Sequence, residues 1–299
     1  LDRLGGGHWE LRKAKAQKRI QEIAERLVAL AARRQGDIGT SLMVDQEAYN
    51  VFCRKFPYVE TEDQIQAIRD VIEDLGRGKP MDRLLCGDVG FGKTEIALRA
   101  AFVAAQAGYQ VALVCPTTLL CAQHFQTFKK RFSDFPWRVE SLSRLQAPAD
   151  IKRIHEELKG GGLSIVIGTH ALFSSKVAFH NLGLVIIDEE QHFGVKQKEH
   201  LKKMAEGVHV LSMSATPIPR SLQMAVAGIR ELSLIATPPV DRLGVHTFVM
   251  PYDALTVREA ILREFHRGGQ VFYVCPRVAD LESIHETLMK LIPEVSMVV

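Results

Sequence analysis

The chain has 299 residues, of which 46% are hydrophobic and 24% are charged, and its formal charge is +3. This length suits about two globular domains, and the composition excludes a disordered, collagen-like or purely coiled-coil chain. The apolar runs are far shorter than the ~18 residues that cross a bilayer, so we expect no membrane partner and no secretory leader. The five cysteines include no C-x-x-C pair, which favours a reducing, cytoplasmic setting.

The first predicted element is a basic amphipathic helix over residues 9–34. Apolar side chains recur there every three or four residues, and residues 10–34 hold eight Lys or Arg against three Glu. This pattern favours a helix that packs one face on a neighbour and leaves its charges in water, rather than a dedicated nucleic-acid-binding helix. We assign residues 1–40 to a basic linker helix.

Residues 41–240 are predicted to form a first α/β domain, because short apolar strands alternate there with amphipathic helices. Such alternation indicates a parallel sheet covered by helices on both faces. The predicted strands are 83–86, 111–115, 138–142, 163–167, 184–188 and 209–213, and the predicted helices are 94–107, 118–131, 148–159 and 196–205.

A second α/β domain is predicted to begin after a proline-containing linker at residues 237–244. We assign it residues 241–299 and expect it to be truncated, and the chain to be a piece of a longer protein, because it opens on Leu1 and stops within an apparent strand. Its predicted strands are 246–250, 270–275 and one near residue 295, and its predicted helices are 254–267 and 281–291.

A phosphate-binding loop is the strongest motif in the sequence. Residues 87–94 read G-D-V-G-F-G-K-T and match G-x-x-x-x-G-K-[ST] between a predicted strand and a predicted helix. Glycines let backbone N–H groups approach phosphate oxygens, the lysine supplies charge to them, and the threonine hydroxyl suits Mg²⁺. We therefore predict ATP and Mg²⁺ as cofactors, held by Gly87, Asp88, Val89, Gly90, Phe91, Gly92, Lys93 and Thr94.

An acidic box, D-E-E-Q at residues 188–191, follows a buried strand. The carboxyl end of such a strand is where α/β sheets place their ligands. We predict that Asp188 takes the Mg²⁺ role and that Glu189 acts as general base on the attacking water. The predicted catalytic residues are Lys93, Asp188 and Glu189, with Glu190 and Gln191 also at the nucleotide.

These two motifs, followed by Ser214-Ala215-Thr216, resemble the superfamily-two helicases and translocases. The resemblance implies a RecA-like fold for the first domain and the start of a second RecA-like domain. Phe56 and Gln64 resemble the adenine-reading Q motif, and residues 214–216 resemble the motif that couples nucleotide to nucleic acid. The implied DNA contacts are Pro116, Thr117, Thr118, Gly168, Thr169 and His170, to which we add Arg144 and Arg220.

Residues 188–199 and 214–225 narrow the resemblance to the double-stranded DNA translocases, a branch with RecG and the bacterial transcription-repair coupling factors. The opening L-D-R-L-G-G-G-H-W, residues 45–53 and Phe91 in the phosphate loop look more like the coupling-factor family. Cys275-Pro276-Arg277 looks more like RecG, which leaves the DNA contacts of the second domain open.

The resemblance implies an ATP-driven motor on double-stranded DNA that acts against stalled RNA polymerase. RNA polymerase and excision-repair proteins would bind parts of the parent outside this chain. The alternatives are a RecG-like fork-remodelling helicase and a nucleotide- and DNA-binding module with little hydrolysis; RNA-dependent relatives share the motifs. We recognise no arginine-finger motif in these 299 residues, so we expect the chain alone to be a weak ATPase.

Overall fold

The computed structural model describes residues 40–215, 230–240, 242 and 245–299. The predicted helix at 9–34 lies outside these residues, as do Thr216 and Arg220. Contacts between Cα atoms divide the chain into two compact units, residues 1–242 and residues 243–299, which are described separately below.

The first unit is built on a seven-stranded sheet in which every strand pair is parallel. The strand order is β3-β4-β2-β5-β6-β1-β7. Residues of β2 and β5 alternate between two apolar clusters, with Val111 and Leu113 in one and Ala112 and Val114 in the other. The strands are β1 Asp82–Gly87, β2 Gln110–Val114, β3 Val139–Leu142, β4 Ile165–Gly168, β5 Leu182–Asp188, β6 His209–Ser214 and β7 Glu231–Ile235.

Helices cover both faces of this sheet, as two separate cores require. Local caps fix several helix starts: the Asp45 carboxylate accepts the Glu47 N–H at 3.0 Å, and Thr61 and Gln64 form a reciprocal capping box. The helices are α1 Gln46–Arg54, α2 Glu62–Gly76, α3 Lys93–Gln106, α4 Thr118–Arg131, α5 Pro148–Gly160 and α6 Val195–Met204.

The strand order brings three chain segments to one edge of the sheet. β6 lies between β5 and β1, with Ile187 opposite Ser212 and Leu85 opposite Met213. The carboxyl ends of these neighbouring strands therefore carry Asp188, Ser214 and Gly87. This is the edge at which parallel α/β sheets bind ligands.

The predicted α/β architecture of the first unit is confirmed, and all six predicted strands are present. The predicted helices at 94–107, 118–131, 148–159 and 196–205 also form, with ends that differ by at most one residue. Among the α-helices and strands of the described residues in this unit, α1, α2 and β7 were missed. β7 escaped prediction because Glu231 and Leu234 of this five-residue edge strand are exposed, so its pattern lacks the continuous apolar run of a central strand.

The second unit holds two helices, α7 Ala254–His266 and α8 Leu281–Leu291, which confirm the predicted ones. They pack through Ile261, Leu288 and Ile292. The strands predicted at 246–250, 270–275 and near 295 are wrong: the backbone of residues 245–253 and 269–275 makes no ladder. A strand needs a neighbour to take its N–H and C=O groups, and these segments do not pair within residues 245–299.

No helix in the described parts of the chain has both the length and the apolar character needed to cross a bilayer.

Candidate active site

The phosphate loop connects β1 to α3. Gly90 and Gly92 adopt φ of 81° and 79°, the left-handed region that glycine enters without strain. A side chain at residue 92 would also place Cβ 2.5 Å from the Gln64 amide nitrogen. Within the described residues no side chain caps the first turn of α3, so its N–H groups face the loop. This turn has the geometry of an anion cradle.

Lys93 is folded into the loop. Its Nζ donates to the carbonyl oxygens of Gly87 at 2.6 Å and of Asp88 at 3.0 Å. Burial lowers the pKa of this ammonium, and the carboxylates of Glu189 and Asp188 act in the opposite direction. The ammonium group of Lys93 is thus held next to the acidic box. A bound phosphate would replace the two carbonyl oxygens as its hydrogen-bond partner.

Asp188 ends β5 and is buried. The Nε2 of His124, on α4, lies 2.8 Å from its Oδ2. His124 is buried as well, and its ring meets the edge of Phe128 with centroids 6.5 Å apart. Asp188, the Mg²⁺ ligand predicted from the sequence, therefore has a buried imidazole as its hydrogen-bond partner.

Glu189 has a left-handed backbone, with φ 51° and ψ 57°; among the described residues other than glycine it alone has positive φ. Its N–H donates to Met213 O at 2.9 Å, which fixes this turn to the end of β6. Its carboxylate accepts from the Ala215 N–H at 3.3 Å and the Ser214 hydroxyl at 3.5 Å, and also from the Gln191 amide. Backbone strain of this kind, ~1–3 kcal/mol, persists where the surroundings fix a functional side chain.

Glu190 points to a different partner. Its Oε2 lies 3.0 Å from Nη1 of Arg230, whose side chain also reaches Ser212 and has its Nε 3.0 Å from Asp82 Oδ1. Glu190 is therefore engaged in an ion pair with Arg230. The adjacent Gln191 accepts from the Ser214 hydroxyl at 3.1 Å.

Of the two predicted adenine-reading residues, Gln64 contacts the phosphate loop, whereas Phe56 lies near two arginines. Gln64 is buried; its Nε2 donates to Phe91 O at 2.9 Å and its Oε1 accepts the Thr61 N–H at 3.0 Å. The ring of Phe56 has the guanidinium carbons of Arg99 and Arg131 5.9 and 5.7 Å from its centroid. The Gln64 amide thus braces the phosphate loop, and contact with an adenine would require it to exchange a partner.

Three residues of this region were missed by sequence reasoning, namely His124, Arg230 and Arg242. Arg242 places Nη2 3.3 Å from Asp88 Oδ2 and its guanidinium 4.8 Å from the centroid of Phe91. Each of these residues reaches the site from a segment without a recognisable motif. Only their charge next to an apolar or turn-forming stretch could have suggested them.

The donor set fits Mg²⁺ and a nucleotide. No cluster of three or more metal-ligating side chains occurs in the residues that the structure covers. Mg²⁺ is ordinarily held by one or two carboxylates together with phosphates and water rather than by an all-protein cage. A buried Asp188, the Thr94 hydroxyl in the first turn of α3 and the open cradle above match that requirement.

A family comparison agrees with this geometry. The model of the DEAD/DEAH box helicases matches residues 61–225, which is more than half of the 299 residues. The chain belongs to the DEAD/DEAH box helicase family. Its match includes the phosphate loop, the acidic box and Ser214-Ala215-Thr216.

Within that helicase family, the chain is similar to bacterial transcription-repair-coupling factors. It is 53% identical to the one from Rickettsia conorii over 99% of this chain and 27% of the relative. It is 47% identical to those from Escherichia coli and Bacillus subtilis over 98% of this chain, and 26% and 25% of the relatives. The chain thus spans about a quarter of the length of these curated relatives.

Solved helicase structures share the fold. A structure of RecG bound to a three-way DNA junction is 34% identical, with a TM-score of 0.77, over 95% of this chain and 39% of that one. The DEAD-box helicase Mss116 bound to ssRNA and UDP-BeF is 15% identical, with a TM-score of 0.54, over 76% of this chain and 51% of that one. The predicted RecA-like class of the first domain is confirmed by these relations.

The predicted DNA contacts of this helicase chain differ in accessibility. Thr117 is exposed and caps α4, accepting the Leu120 N–H at 3.2 Å. Thr169 is 1% exposed and its hydroxyl has no partner among the described residues. Gly168 is required by packing, since a Cβ there would lie 2.7 Å from Leu142 O. Pro116 and Thr118 are half-buried, whereas Arg144 and His170 are exposed.

Proposed function

We propose that the chain is the ATP-hydrolysing part of a double-stranded DNA translocase that acts in transcription-coupled repair. The observation that carries the ATPase part is the placement of the phosphate loop and the acidic box at the carboxyl ends of β1 and β5, with β6 between them. Similarity to transcription-repair-coupling factors and to RecG on a DNA junction supports duplex DNA as the track. RNA polymerase and excision-repair proteins are proposed partners of the longer protein, in the cytoplasm.

In this proposal each residue has one role. Lys93 leaves the carbonyls of Gly87 and Asp88 to hold phosphate oxygens, while Thr94 and Asp188 hold Mg²⁺. The ion, when bound, neutralises charge on the phosphates. Glu189 takes the proton of the attacking water. Because its carboxylate also contacts Ser214 and Ala215, that base is tied to the end of β6.

Replacement of Lys93 tests nucleotide binding. Lys93→Ala removes a charge-assisted contact, so we expect nucleotide affinity to weaken by ~1.5–3 kcal/mol without loss of the fold. Isothermal calorimetry with Mg-ADP measures this change. Lys79→Ala, at an exposed lysine, is the matched control and should bind as the wild type does. Equal affinity in both variants would overturn the assignment of the phosphate loop.

Replacement of Glu189 tests hydrolysis. Glu189→Gln keeps the side-chain volume but cannot take a proton, so we expect ATP affinity to persist while turnover falls ~10²-fold or more. Turnover should be measured in the full-length protein, where we expect activity to be larger. Hydrolysis by Glu189→Gln at the wild-type rate would show that another group is the base.

Measurement of ATP turnover by this chain distinguishes a translocase motor from a nucleotide- and DNA-binding module with little hydrolysis. No arginine here lies in a recognised arginine-finger motif, a group worth ~10³–10⁵ in rate in related phosphoryl-transfer enzymes. We therefore propose that the chain binds Mg-ATP, hydrolyses it slowly, and responds little to duplex DNA. Robust DNA-stimulated turnover by this chain would identify an arginine that sequence reasoning missed. A RecG-like fork-remodelling role would instead appear as preference of the full-length protein for branched over linear DNA.

A further inference from the structure

The contact between His124 and Asp188 joins two elements that are 64 residues apart in the chain. The two side chains are buried, and Nε2 lies 2.8 Å from Oδ2. An ionised carboxylate can only accept hydrogen bonds, so Nε2 carries the hydrogen. Among the described residues no other side chain hydrogen-bonds to this carboxylate, which leaves Oδ1 for a metal ion and its water shell.

The imidazole is held on a fixed element. Cys121, His124 and Phe128 lie on one face of α4, at spacings of three and four residues. The Cys121 thiol reaches Ile167 O of β4 at 3.4 Å, and Phe128 is fully buried against the His124 ring. These contacts anchor the part of α4 that carries His124. The direction in which Asp188 presents its free oxygen is therefore set by α4.

The same helix carries predicted DNA contacts. α4 begins at Thr118, directly after its cap Thr117, and His124 follows six residues later, about 9 Å along the axis. Contacts at the start of α4 and the hydrogen bond to Asp188 thus belong to one rigid segment. This link is separate from the one that Ser214 and Ala215 make to Glu189.

We propose that His124 is a positioning residue that orients Asp188 for Mg²⁺ and connects α4 to the metal site. The proposal rests on the nucleotide site of the proposed function. Groups that orient a metal ligand through a hydrogen bond change metal affinity by ~10–100-fold when they are removed. The role of His124 is therefore measurable as a dependence on Mg²⁺, whatever the turnover rate.

The test compares His124→Leu, which fills the space without a donor, with His124→Gln, whose Nε2–H can still reach the carboxylate. A fluorescent ADP analogue is titrated into the 299-residue chain at a series of Mg²⁺ concentrations and in excess EDTA. We expect the half-saturating Mg²⁺ concentration to rise about tenfold for leucine and less than threefold for glutamine. Affinity in EDTA should stay within twofold of the wild type for both variants.

Several outcomes overturn the proposal. An unchanged Mg²⁺ dependence in His124→Leu excludes a positioning role, and an equal shift in both variants assigns the histidine to packing alone. If the leucine variant unfolds, His124→Asn, whose shorter amide cannot span the contact, replaces it under the same criteria. The exposed His180→Leu is the matched control and should match the wild type. A wild-type chain that binds no nucleotide would instead overturn the proposed function.

Discussion

Two segments of the chain share the pattern Gln-Val-x-x-Val-Cys-Pro but have different structures. Residues 110–116 read Q-V-A-L-V-C-P and residues 270–276 read Q-V-F-Y-V-C-P. In the first, Val111 to Val114 of β2 are fully buried between β4 and β5. In the second, Phe272 and Val274 are 91% and 86% exposed, and the backbone is irregular.

The glutamines of the two segments show what makes the difference. The buried Gln110 side chain donates to the carbonyl oxygens of Leu158 and Leu163 at 2.9 and 2.8 Å, and accepts the N–H of Asn181 at 3.0 Å. Gln270 is exposed. An apolar run with strand propensity becomes a strand only where neighbouring strands pair with its backbone and a core takes its side chains.

Limited proteolysis should show the largest difference between the two segments, as a difference in cleavage rate. Chymotrypsin should cut after Phe272 or Tyr273 at least about a thousandfold faster than within β2, because cleavage in the sheet requires an opening that costs several kcal/mol. Mass spectrometry of early fragments measures the ratio. A segment 270–276 as resistant as residues 110–116 would show that it is ordered by contacts absent from the structure.

Matched truncations of one valine in each segment sharpen the same comparison. Val114→Ala removes two buried carbons from the core under α5, so we expect a loss of ~2–3 kcal/mol in the free energy of unfolding. Val274→Ala removes the same atoms from an exposed position and should change it by less than ~0.5 kcal/mol. Urea denaturation followed by circular dichroism gives both values. Equal losses would place Val274 in a core.

A smaller effect distinguishes the two units: the pH dependence of the free energy of unfolding should involve a buried histidine of the first unit. His209 of β6 is buried; its Nδ1 accepts the Met81 N–H at 3.1 Å and its Nε2–H donates to Thr40 O at 2.8 Å. Burial lowers its pKa below the ordinary value near 6.5. The unfolded chain therefore binds a proton at higher pH than the folded one does. The stability that this neutral histidine contributes is present above pH ~6.5 and is lost as the pH falls further, through the folded pKa.

The measurement is the free energy of unfolding at pH 7.5 and 5.5. His209→Gln should reduce the drop between these two values, on the order of one hydrogen bond or ~1 kcal/mol. His266→Gln, at an exposed histidine of α7, is the control and should leave the drop unchanged. If the free energy of unfolding of His209→Gln fell between these two pH values by as much as that of the wild type, this histidine would not be the titrating group.

The sequence was sufficient for the parts of the site that are contiguous. The phosphate loop and the acidic box are short motifs whose strand–turn–helix setting can be recognised locally, and both lie where they were expected. His124 could not be assigned, because its role depends on α4 packing on β3 and β4 so that the imidazole reaches Asp188 at the end of β5. Arg230 and Arg242 likewise act on residues 40 and 154 positions away.

The same limit explains the fold errors. The central strands are buried on both faces and are continuous apolar runs, which makes them predictable. β7 has only one row of buried residues, and α1 depends on the Asp45 cap and on aromatic packing of Phe52 against Phe102, with ring centroids 4.5 Å apart. Residues 270–275 have the composition of a strand without the partners, so local propensity gave the wrong answer there.

The position of β1 in the sheet has a consequence for synthesis on the ribosome. β1 ends at Gly87, yet both of its neighbours lie far downstream, in β6 from His209 and β7 from Glu231. At ~5–20 residues per second, roughly 6–24 seconds pass between the appearance of β1 and that of β6. The phosphate loop therefore emerges on an unpaired apolar strand, and nascent chains that end before β6 should be the ones that chaperones bind.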